Sequence, residues 1–208
     1  MKIDLGCGPN KHDGYFGIDK RRIADVDLVW DINESIPLPS DSVEFVMASR
    51  SLPYVNDLFK VMADLYRLCS HKAVVCILAP YAHHFDHMAN PYIKQRFDES
   101  SPRYWTPSFY EPSHGFKCPE LSPYADSSPP FDFRLLHMEL LYDSEFDLSL
   151  YDSEELGTIQ RFQPNAAVEI VYYVAAVKKV IAEEELDELS RGVYPRPNVL
   201  EQKKNAEY

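Results

Sequence analysis

An apolar run, Ile3-Asp4-Leu5, breaks at Gly6-Cys7-Gly8, and the next run that ends in an acid, Tyr15-Phe16-Gly17-Ile18-Asp19, closes only 13 residues after Gly6. This spacing restricts the fold more than any other feature of the chain. A dinucleotide-binding βαβ unit places a whole helix between two such strands and its acid about 20 residues beyond the glycine turn. The first helix is therefore expected to be shortened to a turn or lost, with Lys11-His12-Asp13-Gly14 supplying the turn. Gly6 and Gly8 flank the small Cys7, which lets the backbone take positive φ and lets a ligand approach it without meeting a Cβ. A glycine pair alone equally describes an ordinary strand-to-loop turn, so the downstream residues have to decide.

Val26-Asp27-Leu28-Val29-Trp30-Asp31 is a third run ending in an acid. Open α/β sheets bind ligands at the carboxyl ends of their strands, so Asp4, Asp19 and Asp31 are expected at one crevice. Val43–Ser49 reads as the most central strand, and its small final residues leave room for a ligand. Asn56-Asp57 cap an amphipathic helix in which Leu58, Phe59, Met62, Leu65, Tyr66 and Cys69 recur at spacings of three and four. The nearly continuous apolar run Ala73–Ala79 implies a strand buried on both faces, hence a parallel sheet. Two more strands are expected over Phe133–Tyr142 and Ala167–Val177, the last able to insert antiparallel beside its predecessor.

Residues 81–131 have no sustained periodicity, and prolines crowd between Pro91 and Pro130, which predicts a lid or substrate-binding insertion. From 181 to 208 the chain is charged, with Glu183-Glu184-Glu185 and Lys203-Lys204, and is expected to form a short helix and a loose, solvated tail. The net charge of −12 argues against nucleic-acid backbone binding, which needs a basic face. The four cysteines form no CxxC pair and lie mostly in apolar runs, which suggests buried thiols in a reducing cytoplasm. No signal peptide and no run of roughly 18 apolar residues is present, so a soluble protein with no membrane partner is expected.

Taken in order, Asp-Leu-Gly-Cys-Gly (4 to 8), Gly-Ile-Asp (17 to 19), Val-Trp-Asp-Ile-Asn (29 to 33), Ile-Pro-Leu-Pro-Ser-Asp-Ser-Val-Glu-Phe-Val (36 to 46), Ala-Ser-Arg-Ser-Leu (48 to 52) and Leu-Tyr-Arg-Leu-Cys (65 to 69) resemble the motifs of class I S-adenosylmethionine-dependent methyltransferases. The likeness is to compact members that lack the first helix and often occur in sugar or polysaccharide biosynthesis. It implies an α/β, Rossmann-like domain over residues 1–180. The sheet would be mostly parallel and of the seven-stranded type, with an antiparallel last strand, a shortened N-terminal helix and the long lid at 81–131. It also implies S-adenosylmethionine as cofactor, S-adenosylhomocysteine as product and a small polar acceptor. O-methylation of a sugar or related metabolite is the expected reaction, and a non-catalytic binding or scaffold protein is the alternative.

Carried over by position, the resemblance implies a cofactor site of Asp4, Gly6, Cys7, Gly8, Asn10, Asp19, Lys20, Asp31, Ile32 and Ser49. In it the loop amides bind the methionine carboxylate, Asp19 takes the ribose hydroxyls, Asp31 the adenine amino group, and Ser49 lies near the sulfonium. The third glycine of the family's loop is replaced by Pro9-Asn10. Its frequent His-x-Leu-Glu-His becomes Arg50-Ser51-Leu52-Pro53-Tyr54. An acceptor hydroxyl needs a base, for which the residues offer His83, His84, Asp86 and His87. The same cluster could instead be a zinc or iron site, and more often such histidines form a purely structural loop. Arg50, Tyr54, Tyr92, Arg96, Tyr104 and Trp105 are the candidates for substrate contact, aromatics for stacking and cations for an anionic group, with Phe97, Lys94 and Arg103 in the same roles. These aromatics equally fit a lid that only packs onto the sheet. No metal is assigned and the oligomeric state stays open.

Overall fold

A computed structural model describes residues 1–113, 117–121, 128–143 and 148–200. Seven strands form one sheet in the order β3-β2-β1-β4-β5-β7-β6. They are β1 (Lys2–Leu5), β2 (Phe16–Asp19), β3 (Leu28–Val29), β4 (Val43–Ser49), β5 (Cys69–Pro80), β6 (Phe133–Tyr142) and β7 (Ala167–Ala176). The first five are mutually parallel, and β7 inserts antiparallel between β5 and β6. That is the expected α/β architecture. Between β1 and β2 there is no helix, only turn and bend, as the short spacing requires.

The helix α1 (Leu58–Leu68) starts where the sequence places it, with the Asp57 carboxylate accepting from the Lys60 N–H at 3.0 Å. Its stripe of Leu58, Val61, Met62, Leu65 and Leu68 is buried against one face of the sheet. The third strand is shorter than its apolar run. The exposed Asp27 bends back over β2, where its carboxylate accepts from the Gly17 N–H at 2.7 Å and from Lys11 Nζ at 2.9 Å, and regular pairing begins only at Leu28. The fifth strand is longer than expected. It takes in Ser70-His71-Lys72, where the register to β4 jumps and Lys72 adopts a φ of +69°, a bulge that absorbs the extra residues.

The described residues of the 81–131 segment are not the structureless lid that composition suggests. They contain α2 (Phe85–Ala89) and a 3₁₀ turn at Ser101–Tyr104, and they insert Phe97 and Trp105 into the core. Both rings are fully or nearly fully buried, Trp105 lying edge-on to Tyr172 with centroids 5.1 Å apart. Tyr172 in turn donates its hydroxyl to the Asp98 carbonyl at 2.7 Å. The rest of the chain adds α3 (Ser153–Phe162), opened by a capping box between Asp152 and Glu155, and α4 (Glu183–Ser190).

The charged C-terminal segment also departs from the loose tail expected of it. α4 buries Leu186 completely, and with Tyr194, Val199 and Leu200 it covers the sheet face formed by Phe45, Met47, Val74, Cys76 and Tyr173. Glu185 pairs with Lys72, so part of the glutamate run is structural. Residues 201–208, with Lys203 and Lys204, lie outside the described residues. Among the described residues no helix is long and apolar enough to cross a membrane.

If Trp105 is core rather than lid, its truncation removes a large buried ring that the surroundings cannot refill. Trp105→Ala should lower unfolding free energy by roughly 3–5 kcal/mol in a denaturant titration, whereas an aromatic on a mobile lid would change it by less than about 1 kcal/mol.

Candidate functional site

The glycine turn is tied down by its own strands. Gly6 and Gly8 take φ of +67° and +55°, as their lack of a Cβ allows. The Ile18 carbonyl accepts from the Gly6 N–H at 2.7 Å and from the Cys7 N–H at 3.2 Å, and Asp19 Oδ2 accepts from the Gly8 N–H at 3.0 Å. All three amides are therefore engaged within the protein, which corrects the expectation that they bind a ligand carboxylate. The physical reason is the missing helix. No free helical N–H groups follow the turn, and its amides close onto β2 instead.

Beside this turn opens a cleft of about 300 Å³ at the carboxyl ends of β1, β2 and β4. One wall is Gly6, Asp19, Lys20 and Arg21; a second is Trp30, Asp31, Ile32 and Asn33; a third is Arg50, Ser51, Tyr54 and Val55. Asp19 is 6% exposed, and its second oxygen accepts from the Arg21 N–H at 2.8 Å. Each of its oxygens keeps a further lone pair for a ligand hydroxyl. Asp31 is exposed, and the backbone N–H of Asn33 bonding to it holds its carboxyl below the usual carboxylate range. Asn33 also bridges the walls, its Oδ1 accepting from the Asn56 N–H at 2.7 Å.

A smaller chamber of about 140 Å³ lies on the other side of Gly6, lined by Asp4, Cys7, Asn10, His12 and Ser49, with Asn198 and Val199 from the C-terminal segment. Gly6 and Arg50 border both spaces. Asp4 Oδ2 accepts from the His12 N–H at 2.9 Å and bonds His12 Nδ1 at 2.8 Å, so this buried acid fixes the turn after the glycines. Burial, with Asp4 and Asp19 close by, pushes the Cys7 thiol up to about 11, which leaves it a neutral, unreactive wall. Arg50 has a φ of +56° and makes a bidentate pair with Glu169 of β7, at 2.5 and 2.8 Å. That carboxylate is 5% exposed and pushes the guanidinium's pKa still further up.

The structure thus brings Gly6, Asp19, Lys20, Asp31, Ile32, Arg50 and Tyr54 to the cleft, and Asp4, Cys7, Asn10 and Ser49 to the chamber. Gly8 anchors Asp19 from behind. The histidine cluster does not join them. His83 is exposed beside the Tyr81 ring, His84 is buried against Phe85 and His87, and His87 Nε2 bonds the Val168 carbonyl at 3.0 Å. The side chain of Asp86 lies outside the described residues, among which no group of three metal-ligating side chains converges. Of the aromatic candidates, Trp105 and Phe97 belong to the core, Tyr104 packs against it, and Tyr92 is 74% exposed. Arg103 bonds the Pro119 and Cys118 carbonyls, and Arg96 borders a small pocket with His87, not the cleft.

Sequence reasoning missed His12, Trp30, Ser51, Glu169 and Asn198. Trp30 was legible as the aromatic before a strand-end acid. His12 and Asn198 meet only through folding, 186 positions apart.

No protein-family model and no curated protein matches the sequence. Solved structures do resemble the fold. The chain is similar to the complex between the Haloferax volcanii Trm112 methyltransferase activator and a methyltransferase (TM-score 0.53, 14% identity, 87% of this chain and 83% of that one). It is similar to a SAM-dependent methyltransferase from Archaeoglobus fulgidus (TM-score 0.52, 13% identity, 84% and 85%). A third neighbour is the [4+2]-cyclase SpnF (TM-score 0.50, 9% identity, 85% and 75%). The fold is the Rossmann-like one of these methyltransferases, and the cyclase shares it, so the fold by itself does not fix the reaction.

A Cβ at Gly6 would stand 2.5 Å from Ser51 Cβ, on a backbone already in the left-handed region. Gly6→Ala should cost about 2–4 kcal/mol of stability by thermal unfolding. Adding Ser51→Gly should recover the steric part and leave the backbone part; no recovery would mean that the close approach is not what fixes this position.

Proposed function

We propose that the cleft binds S-adenosylmethionine and that the protein is a methyltransferase acting on a small polar acceptor, by O-methylation of a sugar or related metabolite, with release of S-adenosylhomocysteine. One observation carries this reading: a single cleft sets the buried Asp19 carboxylate and the ionised Asp31 around the apolar surfaces of Trp30, Ile32 and Val55. A nucleoside needs that combination, acceptors for its hydroxyls and amino group and an apolar slot for its base.

When bound, the cofactor supplies an electrophilic methyl group. The chain's own work is then to position and to exclude water. Asp19 orients the ribose, Asp31 and Ile32 the base, and Ser49 the neighbourhood of the sulfonium. Gly6 admits the ligand close to the main chain, where a Cβ would close the gap to Ser51. For the acceptor, the amides of Lys94 and Gln95 donate to the Pro53 carbonyl at 2.9 and 3.0 Å, which sets the segment of Tyr92 and Lys94 beside the cleft wall that ends in the exposed Tyr54. An aromatic and cationic rim suits a polar, hydroxylated acceptor. The four free, buried cysteines fit a reducing cytoplasm.

A second reading rests on the site's bases. The histidine lining these two spaces is His12, whose two ring nitrogens are both engaged, and the family's histidine and glutamate positions hold Arg50 and Pro53. That favours a cofactor-binding protein without methyl transfer. Transfer of label from S-adenosylmethionine to a panel of sugars and small alcohols separates the two readings.

Titration calorimetry tests what they share. Both S-adenosylmethionine and S-adenosylhomocysteine should bind, and silence from both at millimolar concentration overturns the cofactor reading. Asp19→Ala should weaken binding by about 2 kcal/mol through lost charge-assisted hydrogen bonds. Unchanged affinity in a variant whose folding is verified by its melting curve would move the ribose elsewhere.

A further inference from the structure

Residues 93–97 run from the loop after β4 to the end of β5, and the two ends of this segment are held differently. Phe97 is fully buried and bridges to Tyr81, and its carbonyl accepts from the Ala82 N–H at 2.9 Å. The other end hangs on hydrogen bonds near the surface. The amides of Lys94 and Gln95 donate to the Pro53 carbonyl, Gln95 Nε2 donates to the Val55 and Asn56 carbonyls at 3.0 and 3.2 Å, and Lys94 Nζ donates to Asn56 Oδ1. Bonds of this kind open at low free energy, so the segment comes loose at this end first.

From Asn56 the bonds continue into the cleft. The Asn56 N–H donates to Asn33 Oδ1 at 2.7 Å, and Asn33 donates its own N–H and its Nδ2 group to Asp31 Oδ1 at 2.9 and 2.7 Å. Asp31, Asn33 and Val55 line the cleft, whereas Asn56, Lys94 and Gln95 lie outside its lining. Asn33 therefore joins a carboxylate that a ligand can reach to a segment that the same ligand does not touch. Both bonds from Asn33 fall on one oxygen of the exposed Asp31, so the second oxygen can accept from a ligand while the first keeps its grip.

We propose that Asn33 is a positioning residue that couples the base end of the cleft to the 93–97 segment. The inference rests on the cofactor reading above. A purine amino group on Asp31 restrains a side chain that is otherwise exposed, and Asn33 and Asn56 are restrained with it. The entropy of ordering this row of bonds is then met once, by the cofactor, and the segment closes onto Pro53 at lower cost. The surface of Tyr92 and Lys94 is in this way completed after the cofactor binds, which makes the cofactor the first ligand to enter and the acceptor the second.

Amide hydrogen exchange reads this coupling at the bonds that close the segment, the N–H groups of residues 94 and 95. In the unaltered chain, saturating S-adenosylhomocysteine should slow both by about fivefold or more. In Asn33→Ala, brought to the same occupancy, the slowing should shrink to less than about twofold, while the Gly8 and Arg21 amides, which donate to Asp19 on another wall, still slow. A merely structural asparagine would speed exchange with and without ligand alike, so an unchanged ratio of free to bound rates at 94 and 95 overturns the coupling. A second variant guards against a misfolded first one. Lys94→Ala combined with Gln95→Ala removes the side-chain bonds to Val55 and Asn56 and leaves both amides, and it should lose the ligand-dependent slowing as well; full slowing there overturns the proposal. If S-adenosylhomocysteine does not bind the unaltered chain, the cofactor reading falls and the coupling with it. If it binds without slowing residues 94 and 95, the cofactor reading stands and the coupling does not.

Discussion

A parallel sheet has to be covered on both faces, and the first crossover of this chain is too short to contribute a helix. Much of the molecule follows from that deficit. On one face α1 and the 97–109 segment supply the cover, with Phe97, Trp105 and Tyr172 as its aromatic centre. On the other, Tyr15 of the shortened crossover packs edge-on against Phe45, and the remaining area falls to α4 and residues 194–200. The C-terminal segment thus fills the place that a longer first connection would take. A stretch that composition marks as solvated is held by Leu186, Tyr194, Val199 and Leu200.

The same deficit shapes the site. With no helix to follow, the turn at Gly6 to Gly8 leans on β2 through Ile18 and Asp19, and the turn beyond it leans on Asp4 through His12. Both acids are nearly inaccessible, and each satisfies backbone N–H groups that would otherwise be unpaired. Their carboxylates are held in place by the fold itself. Arg50 shows a similar economy. Its left-handed backbone and its bidentate grip on Glu169 aim a rigid cation between the two spaces, while the pair as a whole adds no net charge.

What the sequence disclosed was periodic or local. Apolar runs placed β1, β2, β4, β5, β6 and β7, an Asp before a three-four stripe placed α1, and of the three acids at run ends Asp19 and Asp31 line the cleft while Asp4 is turned to His12 in the chamber. The failures share a cause. Trp105 and Phe97 sit among prolines with no period to show which side they face, and only Tyr172, some 70 positions on, gives them a core to join. The histidines at 83, 84 and 87 satisfy one another, neighbouring rings and the Val168 carbonyl, a role that composition cannot separate from a catalytic cluster. His12 looked like turn filler because its partner, Asn198, is nearly a whole chain away.

That separation also has a meaning in time. A ribosome adding roughly 5–20 residues per second makes the glycine turn roughly 10–40 seconds before Asn198. Through that interval β1, β2 and β4 can pair, yet one face of the sheet stands bare and the inner chamber has no roof. The nascent chain is then a half-covered sheet with Phe45, Met47 and Val74 toward water, a species that invites either chaperone binding or aggregation. Cover of that face and the roof of the inner chamber then arrive together, with Leu186 and residues 194–200.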